Sequence, residues 1–156
     1  MAPMSGSHES VSIEPFMFEL HPRLSQDCIQ LGRFPLCRLL LMNENRYPWF
    51  ILVPEREELS EIYQLTDEDQ VQLMRESSHL SRTLSELFRA DKMNIAAIGN
   101  LVPQLHLHHV VRYRGDPAWP GPIWGRFDPL PYDAPTIMEI RRKLGAAPLQ
   151  HFVFFD

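Results

Sequence analysis

Apolar and polar positions change period several times along this chain, and each change marks an element. After a polar-apolar lead-in (18–27) with room for one helical turn, CIQLGRFPLCRLLLMN (28–43) gives a short apolar segment. A Gly32–Pro35 turn follows, then a strand over Leu36–Met42. Asn43 to Arg46 is a turn signal, and YPWFILVP (47–54) is a second strand, so the two runs read as an antiparallel hairpin. Helical spacing then takes over, with a short helix over 57–65 and a long one over 67–90. Thr66 is its N-cap, Asp67, Glu68 and Asp69 suit the first turn, and Leu73, Leu80, Leu84, Leu87 and Phe88 form the apolar stripe. MNIAAIGN (93–100) returns to strand character and breaks at Gly99-Asn100, and VPQLHLHHVVR (102–112) is a further strand. RYRGDPAWPGPIWG (112–125) is too rich in Pro and Gly to be a helix or a central strand. A last helix opens at Pro135 and Thr136 and stops at Gly145, and HFVFFD (151–156) supplies an edge strand. The sum is an α+β fold: a mainly antiparallel sheet of about five strands, one long helix and one or more short ones.

Composition narrows the class. The chain has 156 residues and is 44% hydrophobic, enough for one core, so residues 11–156 are read as a single domain. MAPMSGSHES (1–10) is small and polar and reads as a flexible leader rather than a signal peptide. No run reaches the roughly 18 apolar residues of a membrane span. A formal net charge of -5 disfavours a nucleic-acid surface, while leaving room for a small basic pocket. Two cysteines, Cys28 and Cys37, are too few for a disulfide framework. A cytoplasmic protein is the expectation.

The chemistry concentrates in 102–112. Strand alternation puts Gln104, His106, His108 and Val110 on one face and Leu105, Leu107, His109 and Val111 on the other. Two imidazoles at i and i+2 reach one bound group. A neutral ring is a nucleophile and a protonated one a double donor for a phosphate oxygen, so one of each suits phosphoryl chemistry. Gln104 offers an amide donor on the same face. A metal site would need a third or fourth ligand, and His8, His21, His79 and His151 are scattered singles, so metal is the weaker reading. His109 is expected to be a core histidine bonded to a carbonyl or carboxylate.

With these residues in place, the chain resembles the histidine triad (HIT) family of nucleotide hydrolases and transferases, whose motif alternates histidines with apolar residues on a strand. Gln104-Leu105-His106-Leu107-His108-His109-Val110 occupies the motif, and the resemblance runs roughly from Cys28 to Val111. QLHxH, the RGDPAWP loop and YPWFILVP point to a bacterial HIT-like subgroup. The resemblance implies a HIT-like fold and His106 as the nucleophile on the α-phosphorus of a nucleotide, forming a nucleotidyl-histidine. It implies that His108 assists the leaving group, and it puts Gln104 where the family has its first histidine. Asn94 and Asn100 correspond to polar contacts near the phosphates. Asn43 (or, in a shifted register, Asn45) corresponds to the residue that binds the ribose hydroxyls. Each asparagine also has a plain reading as a turn residue.

The implied substrates are dinucleoside polyphosphates or nucleoside phosphoramidates, with no cofactor and no metal, and the implied assembly is a homodimer. The competing function is a nucleotide-binding protein of the same fold without catalysis. Arg112 and Arg114 are within reach of a phosphate but need no function as loop charges. Trp119 and Trp124 are expected to pack the Pro-rich loop onto the sheet or a second subunit.

Overall fold

The computed structural model describes residues 16–156, so the leader assigned to 1–10 lies outside the described residues. Six strands form one antiparallel sheet in the order β4-β5-β3-β2-β1-β6: β1 (Cys28–Arg33), β2 (Cys37–Met42), β3 (Trp49–Pro54), β4 (Lys92–Ala96), β5 (Leu107–Arg112) and β6 (Val153–Phe154). Helix α1 spans Pro22–Asp27, α2 spans Asp67–Phe88 and α3 spans Ala134–Ala146. The α+β class and the 43–46 hairpin stand as expected, and the C-terminal tail supplies a sixth strand. That strand docks where β1 carries Gly32, whose position would drive any Cβ into the Val153 carbonyl.

The sheet divides the core in two. Beneath α2, Leu80 and Leu84 are fully buried against Leu39, Leu52, Leu107 and Val111. Each such leucine contributes about 2 kcal/mol of burial. The Glu76 carboxylate, buried on α2, accepts the Leu36 and Cys37 amides at 3.0 and 2.8 Å and so ties the helix to the start of β2. Thr66 caps α2 by accepting the Asp69 amide. On the opposite face Leu40, Ile51, Val53, Val102 and Leu24 make a second cluster, and Tyr47, Val110, Ala118 and Ile123 a third.

Element ends differ from expectation for local reasons. The 57–65 helix reduces to a 3-10 turn at Ile62–Gln64, because Glu58 is left-handed (φ 50°) and the Gln64 side chain collects the Ser60 and Glu61 amides. Helix α2 stops at Phe88, since Arg89 is left-handed (φ 51°) and the amides of Arg89 and Ala90 both return to the Ser85 carbonyl. Gly145 does not stop α3. The helix runs past it until Ala147, which precedes Pro148 and is driven into extended geometry. Strand β4 ends at Ala96, freeing 97–101 as a connection. Strand β5 begins at Leu107 rather than 102: Pro103 has no N–H, and the Leu105 amide donates to the Leu59 carbonyl instead of a ladder partner.

Candidate active site

The site is built on β5 and the strand beside it. Register pairs Ile51 with His108 and Trp49 with Val110, so Trp49, Ile51, His108 and Val110 share a face. On that face lies a cavity of about 390 Å³ into which both His106 and His108 project. Its walls are apolar: Leu24, Met42, Ile51, Val102 and the indoles of Trp49 and Trp124. Its polar groups are Arg23 and Asp27 from α1 and Asn100 from the β4–β5 connection. Helix α1, the end of β2 and the loop after β5 therefore converge on the two imidazoles.

His106 precedes the first ladder pair of β5, and its orientation is set by its own backbone. Its Nδ1 lies 2.6 Å from the Gln104 carbonyl oxygen. A carbonyl only accepts, so Nδ1 carries a proton, and in the neutral ring Nε2 keeps its lone pair. No protein group among the described residues bonds that Nε2.

His108 is fixed in the opposite sense. The Trp49 indole Nε1 donates to its Nδ1 at 3.0 Å, so the neutral ring carries its proton on Nε2. The His106 and His108 ring centroids are 4.8 Å apart. Burial first, then the neighbouring imidazoles of His106 and His109, push the His108 pKa down to about 3. In its neutral form His108 therefore turns an N–H, rather than a lone pair, toward the cavity.

Gln104 departs most from the strand-face reading. It sits on a bend before β5, and its side-chain Oε1 accepts the His21 amide at 2.8 Å while Nε2 donates to the Glu19 carbonyl at 2.9 Å. Its side chain thus fastens the lead-in segment, while its backbone carbonyl serves His106. Asn100 is brought to the cavity. Asn43 and Asn94 are not among its walls: the Asn43 Oδ1 accepts the Tyr132 amide at 2.9 Å, and the Asn94 Oδ1 accepts from Arg112 at 2.7 Å. Asn45 likewise faces the 130–131 segment, through its amide to the Leu130 carbonyl.

Arg112 does not reach out to a phosphate. It is 1% exposed and grips Asp116 through two bonds, Nε to Oδ2 at 2.8 Å and Nη2 to Oδ1 at 3.0 Å. Burial alone would raise the Asp116 pKa, but Arg112 and the amides of Tyr113 and Ala118 hold it below the ordinary carboxylate value. Trp119 stacks over the same guanidinium at 5.5 Å. This clamp shapes the RGDPAWP loop so that, a few residues on, Ile123 is buried against Val110 and Trp124 stands over His108 at 5.5 Å between centroids. Trp119 packs the loop as expected, whereas Trp124 belongs to the site. Arg114 stays at the surface, its amide donating to Asp91.

Trp49 escaped the sequence reading. Its signal was present, since pairing YPWFILVP with the histidine strand places it on the histidine face, but strand order was needed to see it. Cys28 also lines the cavity, and burial followed by the Asp27 charge lifts its pKa to about 12, so it remains a thiol and no nucleophile. Among the described residues no three His, Cys, Asp or Glu side chains gather as a metal cage, and no helix is long and apolar enough to cross a membrane.

Comparison with known proteins agrees with this fold. The HIT domain family profile matches residues 23–115. A histidine triad protein from Marinobacter aquaeolei VT8 superposes with a TM-score of 0.81 at 55% identity, covering 83% of this chain and 94% of that one. A histidine triad protein from Bradyrhizobium japonicum gives 0.80 at 46% identity, covering 82% and 96%. A histidine triad protein from Sinorhizobium meliloti 1021 gives 0.81 at 40% identity, covering 82% and 95%. No protein of curated function matches the chain significantly. With matched residues that span more than half its length and relatives this similar over most of theirs, the chain belongs to the histidine triad family.

Proposed function

We propose that the protein is a nucleotide-α-phosphate hydrolase or nucleotidyl transferase that works through a nucleotidyl-histidine on His106. The observation that carries this reading is the 2.6 Å bond from His106 Nδ1 to the Gln104 carbonyl, which in the neutral ring puts the lone pair on Nε2, at the cavity. In the first step the Nε2 lone pair forms an N–P bond to the α-phosphorus. The bond from phosphorus to the leaving group breaks, and that group departs with the electron pair. The His108 Nε2–H donates a hydrogen bond to the oxygen where charge develops, a contribution that needs no proton transfer from the ring. In the second step water or another acceptor attacks phosphorus, the N–P bond breaks, its electron pair returns to Nε2, and the acceptor's proton passes to solvent.

The apolar walls with their two indoles suit a nucleoside, and Arg23, Asp27 and Asn100 at the rim suit its sugar and phosphate oxygens. Dinucleoside polyphosphates and nucleoside phosphoramidates both present such an α-phosphorus. A cytoplasmic homodimer is part of the same proposal. Strand β4 is at the sheet edge, Ile95 on it is 48% exposed, and Val71 and Met74 stand exposed on α2.

Single-turnover incubation with an adenosine phosphoramidate and with a dinucleoside polyphosphate, followed by intact mass, tests the reading. A nucleotidyl adduct on the wild type that vanishes in His106→Ala supports it. Binding of both compounds without adduct or turnover replaces it with a nucleotide-binding protein of the same fold.

A further inference from the structure

We propose that Trp49 is a positioning residue that holds His108 as a neutral imidazole with its proton on Nε2, the donor form that the proposed reaction uses. This rests on the histidine chemistry proposed above for its purpose, though not for its geometry. An indole N–H donates and never accepts, so the 3.0 Å contact between Trp49 Nε1 and His108 Nδ1 has one polarity. Protonating Nδ1 would set N–H against N–H. Moving the proton from Nε2 to Nδ1 would do the same and would also turn the donor away from the cavity. The indole thus selects one of three states of His108.

The indole is itself held. Trp49 is the first residue of β3, opposite Val110, and its ring meets Trp124 edge-on at 6.3 Å and 85°. His108 stands between the two indoles, 5.6 Å from the Trp49 ring and 5.5 Å from that of Trp124. No charge from the neighbouring elements overrides this choice. From β5 and the residue just before it come only the imidazoles of His109 and His106, which disfavour a second positive charge. Strand β1 contributes the Cys28 thiol, and β3 and β4 oppose His108 with Ile51 and Ala96. From α1 come Arg23 and Asp27, which pair with each other at 3.6 Å. With burial added, the pKa of His108 falls to about 3. The donor then persists across the working pH range.

Long-range proton–nitrogen correlation spectra of nitrogen-15-labelled full-length protein, recorded from pH 4.5 to 8, read the tautomer directly. The expected wild-type result is a His108 with its proton on Nε2 that does not titrate above pH 5. In Trp49→Phe, which keeps an aromatic ring but loses the N–H, His108 should show mixed tautomers and take up a proton at a higher pH than in the wild type. Turnover by that variant should fall about tenfold through kcat, with KM changed by no more than about twofold. A wild-type His108 carrying its proton on Nδ1, or titrating above pH 5, overturns the proposal. So does a Trp49→Phe protein whose His108 tautomer and pH profile match the wild type. Should Trp49→Phe not fold, the wild-type spectra alone decide. Failure of the nucleotidyl adduct to form would instead strike the proposed function and leave the tautomer result standing.

Discussion

His108 and His109 are neighbours on one strand, both are buried, and burial depresses the pKa of both, yet their surroundings assign them opposite work. His109 turns toward α2. Its Nδ1 lies 3.0 Å from the Leu107 carbonyl and its Nε2 2.7 Å from the Ser77 hydroxyl, so both ring nitrogens are used within the protein. His108 turns the other way, uses one nitrogen on Trp49 and leaves the second to the cavity. His106 repeats that economy with the Gln104 carbonyl. A ring with both nitrogens satisfied holds the fold, and a ring with one held and one open is poised for a ligand.

The strongest way to break that contrast is to remove one ring from each side. His106→Ala should lower turnover by about 10⁴-fold while shifting unfolding free energy by less than about 1 kcal/mol. His109→Ala should do the reverse, costing about 3 kcal/mol, because it opens a cavity under α2 and orphans the Ser77 hydroxyl. Urea unfolding beside single-turnover rates separates the two. Equal losses of stability in both variants would dissolve the distinction.

Next in size is the clamp that brings Trp124 over the cavity. Asp116→Ala leaves the Arg112 guanidinium buried without its carboxylate and releases the amides of Tyr113, Ala118 and Trp119. Loss of one partner from a buried pair costs about 3 to 5 kcal/mol. Because Ile123 and Trp124 follow on the same loop, Trp fluorescence should change together with stability. A variant that unfolds at the wild-type urea midpoint would show that the loop is held by packing alone.

The hairpin, the long helix and the split between His109 and the other two histidines were legible because strand and helix periods are written into residue types. Thr66 likewise announced its cap. What alternation could not show is where a strand begins. Applied to 104–106, it placed Gln104 with the histidines, but Pro103 and the Leu59 carbonyl delay the ladder to Leu107, and the amide turns to the lead-in. Long-range partners were equally invisible. Nothing near Asn94 in sequence reveals Arg112, and nothing near Asn43 reveals the Tyr132 amide. Trp49 needed the knowledge that β3 lies beside β5.

A pH series sharpens the comparison from the other direction. The pKa of His108 is lowered to about 3 and that of His109 to about 4, against 6.5 for the free group. Well above pH 6.5 both rings are neutral in the folded and unfolded chains alike, and they add no pH dependence. As pH falls below 6.5 the unfolded chain takes up protons that the folded one refuses, so stability declines toward pH 4. Each ring contributes at most about 1.4 kcal/mol per pH unit within that window. Urea midpoints between pH 7.5 and 4.5 should therefore fall on the acid side, and His109→Gln should flatten the slope by roughly half. A midpoint unchanged from pH 7 to pH 5 would mean that both rings take up protons in the folded state as readily as in the unfolded one.

The smallest expected effect settles what the amide at 104 does. Its two side-chain bonds go to backbone groups of Glu19 and His21 on a partly exposed strap, and such bonds contribute about 1 kcal/mol together. Gln104→Ala should therefore cost about that much and raise hydrogen exchange at the His21 amide. The His106 tautomer should remain as it is, since the alanine retains the carbonyl that receives Nδ1–H. The same nitrogen-15 spectra that read His108 would report it. If His106 lost its Nδ1 proton in this variant, the side chain at 104 would have a hand in setting that ring. If only the strap loosens, position 104 serves the site through its backbone, which explains how a histidine triad protein keeps His106 oriented with glutamine at the head of the motif.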